Sequence, residues 1–120
     1  MIETLNSKRY DLEERTFRFA QLCREFIREL PKTLINIEDG KQLVRSPGSV
    51  ASNYIEANES LSRKDFVMRI KICRKEAKES RMWLRLFQIN NPDAQKFQAK
   101  LIQEATELIK IFNSIVDKSK

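Results

Sequence analysis

From Phe66 onward the chain sets Phe66, Ile70, Cys73, Ala77, Ser80, Leu84 and Phe87 at unbroken steps of three or four residues. That spacing gathers the side chains on one side of an α-helix and scatters them over both sides of a β-strand, so the segment can bury a continuous face only as a helix. Ser62 stands at the N-cap position, with Asp65 three residues on to complete a capping box. Asn90-Asn91-Pro92 punctuates the far end. Asn91 can cap a following helix, and Pro92 suits its first position, where a missing N–H leaves no bond unmade.

The same periodicity recurs on either side. Leu12, Thr16, Phe19, Ala20, Cys23, Phe26, Ile27 and Leu30 form a stripe between Asp11 and Leu30, and Pro31 ends that first helix. From about Ile35 to Asn58, the residues Ile37, Val44, Val50, Ala51, Tyr54 and Ile55 read as the inward row of a second helix. Gly40 and Pro47-Gly48 interrupt it, which predicts a kink or broken turn near Ser46, because Pro47 has no N–H to donate and crowds the preceding turn. A fourth helix is expected from Pro92 to about Val116, with Phe97, Leu101, Ala105, Leu108, Phe112 and Ile115 inward and a polar end, Asp117 to Lys120, that frays. Two glycines and three prolines are too few for a turn-rich sheet protein. The expectation is an all-α, antiparallel up-down-up-down four-helix bundle forming a single domain over residues 1–120.

No histidine occurs, so the commonest general base and metal ligand is missing. Cys23 and Cys73 form no CxxC pair and read as reduced, buried thiols. There is no Gly-rich phosphate loop and no nucleophile set beside an activating group. Glu56 and Glu59 read as surface charge or a core-edge ion pair before they read as a catalytic pair. These features predict a protein that is not an enzyme and has no metal, no cofactor and no small-molecule substrate. The N-terminus has no signal-peptide pattern and no apolar run is long enough to span a bilayer, which predicts a soluble cytoplasmic protein with no membrane partner.

A net charge of +6 suits polyanionic partners, and the excess is concentrated in the third helix. Arg63 to Gln88 holds nine Lys/Arg against three Asp/Glu, a local balance of +6. Lys71, Arg74, Lys78, Arg81 and Arg85 recur at steps of three and four, each one residue after a core position, and so form a stripe on one flank. Such a stripe can follow a phosphate backbone, or it can be a solvated face whose arginines pair with carboxylates on neighbouring helices. No aromatic interleaves it to stack on bases. The opposite flank carries Ile72, Trp83 and Leu86, and Phe17, Leu22, Ile102 and Ile109 are likewise displaced from their stripes. Surplus apolar surface of this kind marks either a subunit interface or a wider core. Asn53 and Glu56 lie beside the apolar stripe of the second helix, where polar groups need partners, and Arg74 and Arg81 are the candidates to supply them.

The segment Gln42 to Ala57, followed by Ser62 to Leu86, resembles the bacterial four-helix bundle proteins of the 23S rRNA intervening-sequence family. Ser49-Val50-Ala51-Ser52-Asn53-Tyr54-Ile55-Glu56-Ala57 is similar to that family's Ser-Ile-x-x-Asn-Ile-Ala-Glu-Gly motif, with Ser49, Asn53 and Glu56 retained. Lys75 to Leu86 is similar to its later stretch. Ala57 replaces the usual glycine, and Pro47-Gly48 stands where small helix formers are common. The resemblance implies a cytoplasmic bundle assembled into a barrel-like homopentamer. Some members are encoded within insertions in large-subunit ribosomal RNA genes, and a similar bundle serves retroelement reverse transcriptases as a basic accessory protein. The partners so implied are RNA, other nucleic acid and RNA-handling enzymes, and the alternative to a nucleic-acid-binding oligomer is a scaffold that recruits another protein.

Overall fold

A computed structural model describes the backbone of residues 2–120 and the side chains of residues 12–120. Four helices make up the architecture: α1 (Ile2–Arg28), α2 (Leu34–Asn58), α3 (Arg63–Leu86) and α4 (Pro92–Lys118). α1 starts well before Asp11, whose side chain lies outside the described residues. Three of the helices begin on a side-chain cap. Thr33 accepts from Asn36 N at 3.1 Å, Ser62 from Asp65 N at 3.1 Å, and Asn91 from Ala94 N at 3.0 Å. Each cap satisfies one of the backbone donors that a helix start leaves unpaired.

Consecutive helices run antiparallel, because rising residue numbers on one meet falling numbers on the next. Asn58 reaches Glu13 while Gly40 lies against Ile27; Ser46 meets Ser80 while Asn53 meets Arg69; Arg74 meets Asn113 while Arg81 meets Thr106. Each helix thus packs on its successor, and α1 and α4 close the ring through the slimmest of the helix contacts.

The core fills the channel between the helices. Phe26 is completely buried and meets Phe87 and Phe97 edge-on, with ring centroids 5.6 and 5.8 Å apart. Tyr54 tilts against Phe112 at 6.3 Å. The inward row expected for α3 is buried from Ile70 to Phe87, and Phe66 packs half-buried against it. In α4 the expected row is buried from Leu101 to Phe112, and Ile109 and Val116 join it, so Ile109 is core rather than displaced surface. Leu22 and Ile102 pack half-buried against the same core.

α2 departs from the expectation twice. Its inward row is Gly40, Leu43, Ser46, Pro47, Val50, Tyr54 and Ala57, whereas Ile37, Val44 and Ile55 are 46, 37 and 51% exposed. Hydrophobicity alone favours the bulkier set, but close packing between two neighbours favours the smaller one. A Cβ on Gly40 would come within 3.3 Å of Ile27 Cγ2, so this glycine lets α1 and α2 approach each other. The helix also continues unbroken through Ser46 and Pro47. The Pro47 ring is fully buried, and beside it the Ser46 and Ser80 hydroxyls share a hydrogen bond of 2.9 Å across the α2–α3 contact. Tertiary packing here outweighs the one backbone bond that proline removes.

Thr16 and Cys73, both buried, donate to backbone carbonyls: the Thr16 hydroxyl to that of Leu12 at 2.9 Å, and Cys73 Sγ to that of Val50 at 3.5 Å. Burial pushes the Cys73 thiol up to about 12 and the Cys23 thiol upward as well. Both thiols therefore stay neutral at physiological pH, and the thiolate, which is the reactive form, is suppressed. A disulfide-exchange reagent at pH 8 is expected to label neither cysteine faster than the protein unfolds; rapid labelling of folded protein would contradict this burial. Phe26→Ala is expected to cost about 3–5 kcal/mol and Asn91→Ala about 1 kcal/mol in chemical denaturation.

Candidate functional site

Burying one row of a helix fixes the direction of every other side chain on it. On α3, residues one step past the core row point toward α4, and those one step before it point toward α2. Arg74 Nη1 donates to Asn113 Oδ1 at 3.0 Å and Arg81 Nη1 to Thr106 Oγ1 at 3.3 Å, so both guanidiniums lie half-buried along the α3–α4 seam. Lys71, Lys78 and Arg85 stand exposed beside them. Among the described residues none of these five cations forms an ion pair with a carboxylate.

The acids of α3 explain why. Glu76, only 7% exposed, and Glu79 face α2, where Arg45 Nη2 reaches them at 3.1 and 3.5 Å. α3 thus sorts its charge by flank, with carboxylates toward α2 and unneutralised cations toward α4. The partners of Arg74 and Arg81 are a neutral amide and a neutral hydroxyl, which orient a guanidinium and leave its charge intact.

Asn53 and Glu56 do not meet Arg74 or Arg81. Asn53 Oδ1 accepts from Arg69 Nη1 at 3.0 Å, and its Nδ2 donates to the Ser49 carbonyl at 2.9 Å and to Ser49 Oγ at 3.2 Å. Glu56 is exposed. The reason is rotational: Arg69 lies on the α2 flank of α3, and Arg74 and Arg81 lie on the other. Ser49 and Asn53 therefore make a brace between α2 and α3, and Glu56 is not part of it.

Of the apolar flank, Leu86 is 51% exposed, while Ile72 and Trp83 are half-buried. Trp83 packs against the core, with a buried indole N–H that has no partner among the described residues. Two exposed apolar rows went unrecognised in the sequence. On α3, Met68 and Met82 precede Leu86 on the same strip of the helix, at 48 and 44% exposure. On α2, Ile37, Val44 and Ile55 run up the side next to α1, and the Glu13–Asn58 register puts Phe17, 53% exposed, level with Ile55. The heptad spacing of Ile37 and Val44 is the available signal for the α2 row, which the sequence pattern by itself places inward.

Among the described residues no helix is long and apolar enough to cross a membrane, and no cluster of acidic, histidine or cysteine side chains could hold a metal ion. Residues 8–114 match the family profile of the 23S rRNA-intervening sequence protein. The chain belongs to that family. Its fold is similar to the crystal structure of a protein of unknown function from the S23 ribosomal protein family of Bacteroides thetaiotaomicron. The two are 26% identical with a TM-score of 0.71 over 87% of this chain and 96% of the other. No curated protein matches the chain. In this member of the intervening-sequence protein family, the Ser49–Ala57 motif lies within α2 and carries the brace to Arg69, and the position of Ala57 is buried one residue before the helix ends.

The brace gives a direct expectation. A double-mutant cycle between Asn53 and Arg69 should show coupling of about 0.5–1.5 kcal/mol in unfolding free energy. The same cycle between Asn53 and Arg81 should show none within error; coupling there would contradict the flank assignment.

Proposed function

We propose that this intervening-sequence family member is a non-catalytic, cytoplasmic RNA-binding protein that works as a homo-oligomer, a pentamer by family resemblance, and grips RNA through Lys71, Arg74, Lys78, Arg81 and Arg85. One observation carries the reading. Among the described residues these five cations form one continuous stripe in which no member pairs with a carboxylate, while Arg15, Lys41 and Arg45 on the other helices have such partners. A solvated face built only for solubility would accommodate acids among its lysines and arginines, whereas a phosphate-binding face must leave its charge available.

The distribution of exposed apolar groups supports the oligomer. A closed ring with an odd number of subunits needs two different patches that fit each other, since a self-complementary patch yields only dimers. The α1–α2 row of Phe17, Val44 and Ile55 and the outer α3 row of Met68, Met82 and Leu86 supply two unlike faces. The second reading, a scaffold recruiting an RNA-handling enzyme, has its own support at the bundle ends. Leu61 is fully exposed in the α2–α3 turn, and Leu34 and Ile35 are 78 and 69% exposed at the start of α2.

Absolute mass measured with and without added structured RNA tests both halves of the proposal. Phe17→Asp and Leu86→Asp should each lower the mass of the free protein while preserving its helical spectrum, and an unchanged mass for both would remove these rows from the interface. Structured RNA should be retarded at low salt, and Lys78→Gln should flatten the logarithmic salt dependence of binding by about one unit. Failure to retard RNA at low salt would end the RNA reading, and a partner protein retained after nuclease treatment would then favour the scaffold.

A further inference from the structure

The cationic stripe repeats with a period of seven residues. Lys71, Lys78 and Arg85 form one column, and Arg74 and Arg81 form a second beside it. At about 1.5 Å per residue, successive rungs are about 10.5 Å apart and the whole stripe is about 21 Å long. It lies along the outer side of two packed rods, α3 and α4, and the inner column is held in place by Asn113 and Thr106.

Two features bear on what kind of strand suits this face. A single strand bound without sequence preference is held by bases stacked on aromatic side chains as much as by charge. Among the described residues Phe17 is the one exposed aromatic, and it belongs to the α1–α2 side of the bundle, away from the stripe. Phe66, Phe87, Phe97, Phe112 and Trp83 are committed to the core. An unpaired strand laid along the α3–α4 seam would gain phosphate contacts and leave its bases without a platform. A double helix keeps its bases stacked on one another and presents backbone alone. The rung interval also suits a duplex: the minor groove of an A-form RNA helix is wide and shallow, so neighbouring rungs about 10.5 Å apart can reach the backbones on its two sides.

We propose that the α3–α4 seam binds the paired backbones of a nucleic-acid double helix, with successive rungs on the two strands flanking a groove, and that it disfavours unpaired strands. The inference rests on the nucleic-acid reading above and narrows its ligand. Recognition is by shape and charge, the mode in which double-stranded RNA is most often bound. The hydrogen-bonded guanidiniums of Arg74 and Arg81 set the register, and the exposed ends of Lys71, Lys78 and Arg85 follow local variation in phosphate position.

The test compares a blunt RNA duplex of about two helical turns with each of its separated, unstructured strands, using the full chain and a titration in salt. The duplex should bind at least about tenfold more tightly than either strand. Its logarithmic salt slope should be about −4.5 for five phosphate contacts. The variant Lys71→Gln/Lys78→Gln/Arg85→Gln alters only exposed side chains that form no ion pair among the described residues and so retains the fold, which its helical spectrum would verify. It should reduce the slope to about −2. Equal or tighter binding of the separated strands, lost in the variant, would overturn the duplex inference and leave the nucleic-acid reading standing. Absence of binding to duplex and strands alike would overturn that reading and this inference with it. A variant that binds duplex as the parent does would place the contact elsewhere and overturn the proposal.

Discussion

The burial of a single row of α3 between α2 and α4 governs the rest of this structure. Ile70, Cys73, Ala77, Ser80 and Leu84 are completely excluded from solvent. Small side chains in the middle of that row let the helices close up, and Ser80, the polar member, satisfies its hydroxyl on the Glu76 carbonyl and on Ser46. With the row committed inward, a helix has no freedom left over the placement of its other residues. Glu76, Glu79 and Arg69 must look toward α2, and Arg74 and Arg81 toward α4. The segregation of charge that makes the α3–α4 seam cationic is therefore a consequence of which residues are buried.

How much of this was legible in the sequence follows from how many ways each segment could be rolled. α3 had one uninterrupted apolar row, so its inward face and its flanks were readable at once. The caps Ser62 and Asn91 were equally plain, because the requirement they meet is local. α2 was ambiguous. Its bulky set, Ile37, Val44 and Ile55, and its small set, Gly40, Ser46, Pro47 and Ala57, lie on adjacent strips of one helix, and only contact with both neighbours decides between them. Gly40 against Ile27 and the buried Pro47 ring settle it in favour of the small set. No one-dimensional pattern contains that information, since it depends on how closely α1 approaches. The pairing of Asn53 was missed for a related reason. The need for a partner was evident from its position, but choosing Arg69 over Arg74 requires knowing which flank of α3 faces α2.

The four seams of the bundle are unequal, and polar contacts follow that inequality. α2 and α3 share the Ser46–Ser80 bond, the Asn53–Arg69 brace and the Arg45–Glu76 pair, so their contact is both apolar and specifically registered. Between α1 and α4 the helices meet least. There Phe26 reaches Phe97, and Arg15 makes a two-point contact with Glu104, both bonds at 2.8 Å. A bidentate pair fixes orientation as well as distance, which matters most where few other contacts set the register.

Considered for stability alone, the α3–α4 seam is an odd arrangement. Cations four residues apart on one helix face, such as Arg74 with Lys78 and Arg81 with Arg85, repel by about 0.2–0.5 kcal/mol per pair at low salt. Carboxylates on the facing side of α4 would relieve that repulsion. Asn113 and Thr106 occupy those positions instead, and they accept a hydrogen bond without contributing negative charge. A neutral acceptor holds a guanidinium in place at the least cost to its field, which an acid would cancel. The seam thus gives up some folding free energy to keep a rigid, unneutralised row of positive charge facing solvent. An arriving polyanion would both remove the repulsion within the row and find two of its contacts already positioned, so ordering costs on binding fall chiefly on the three flexible side chains beside them.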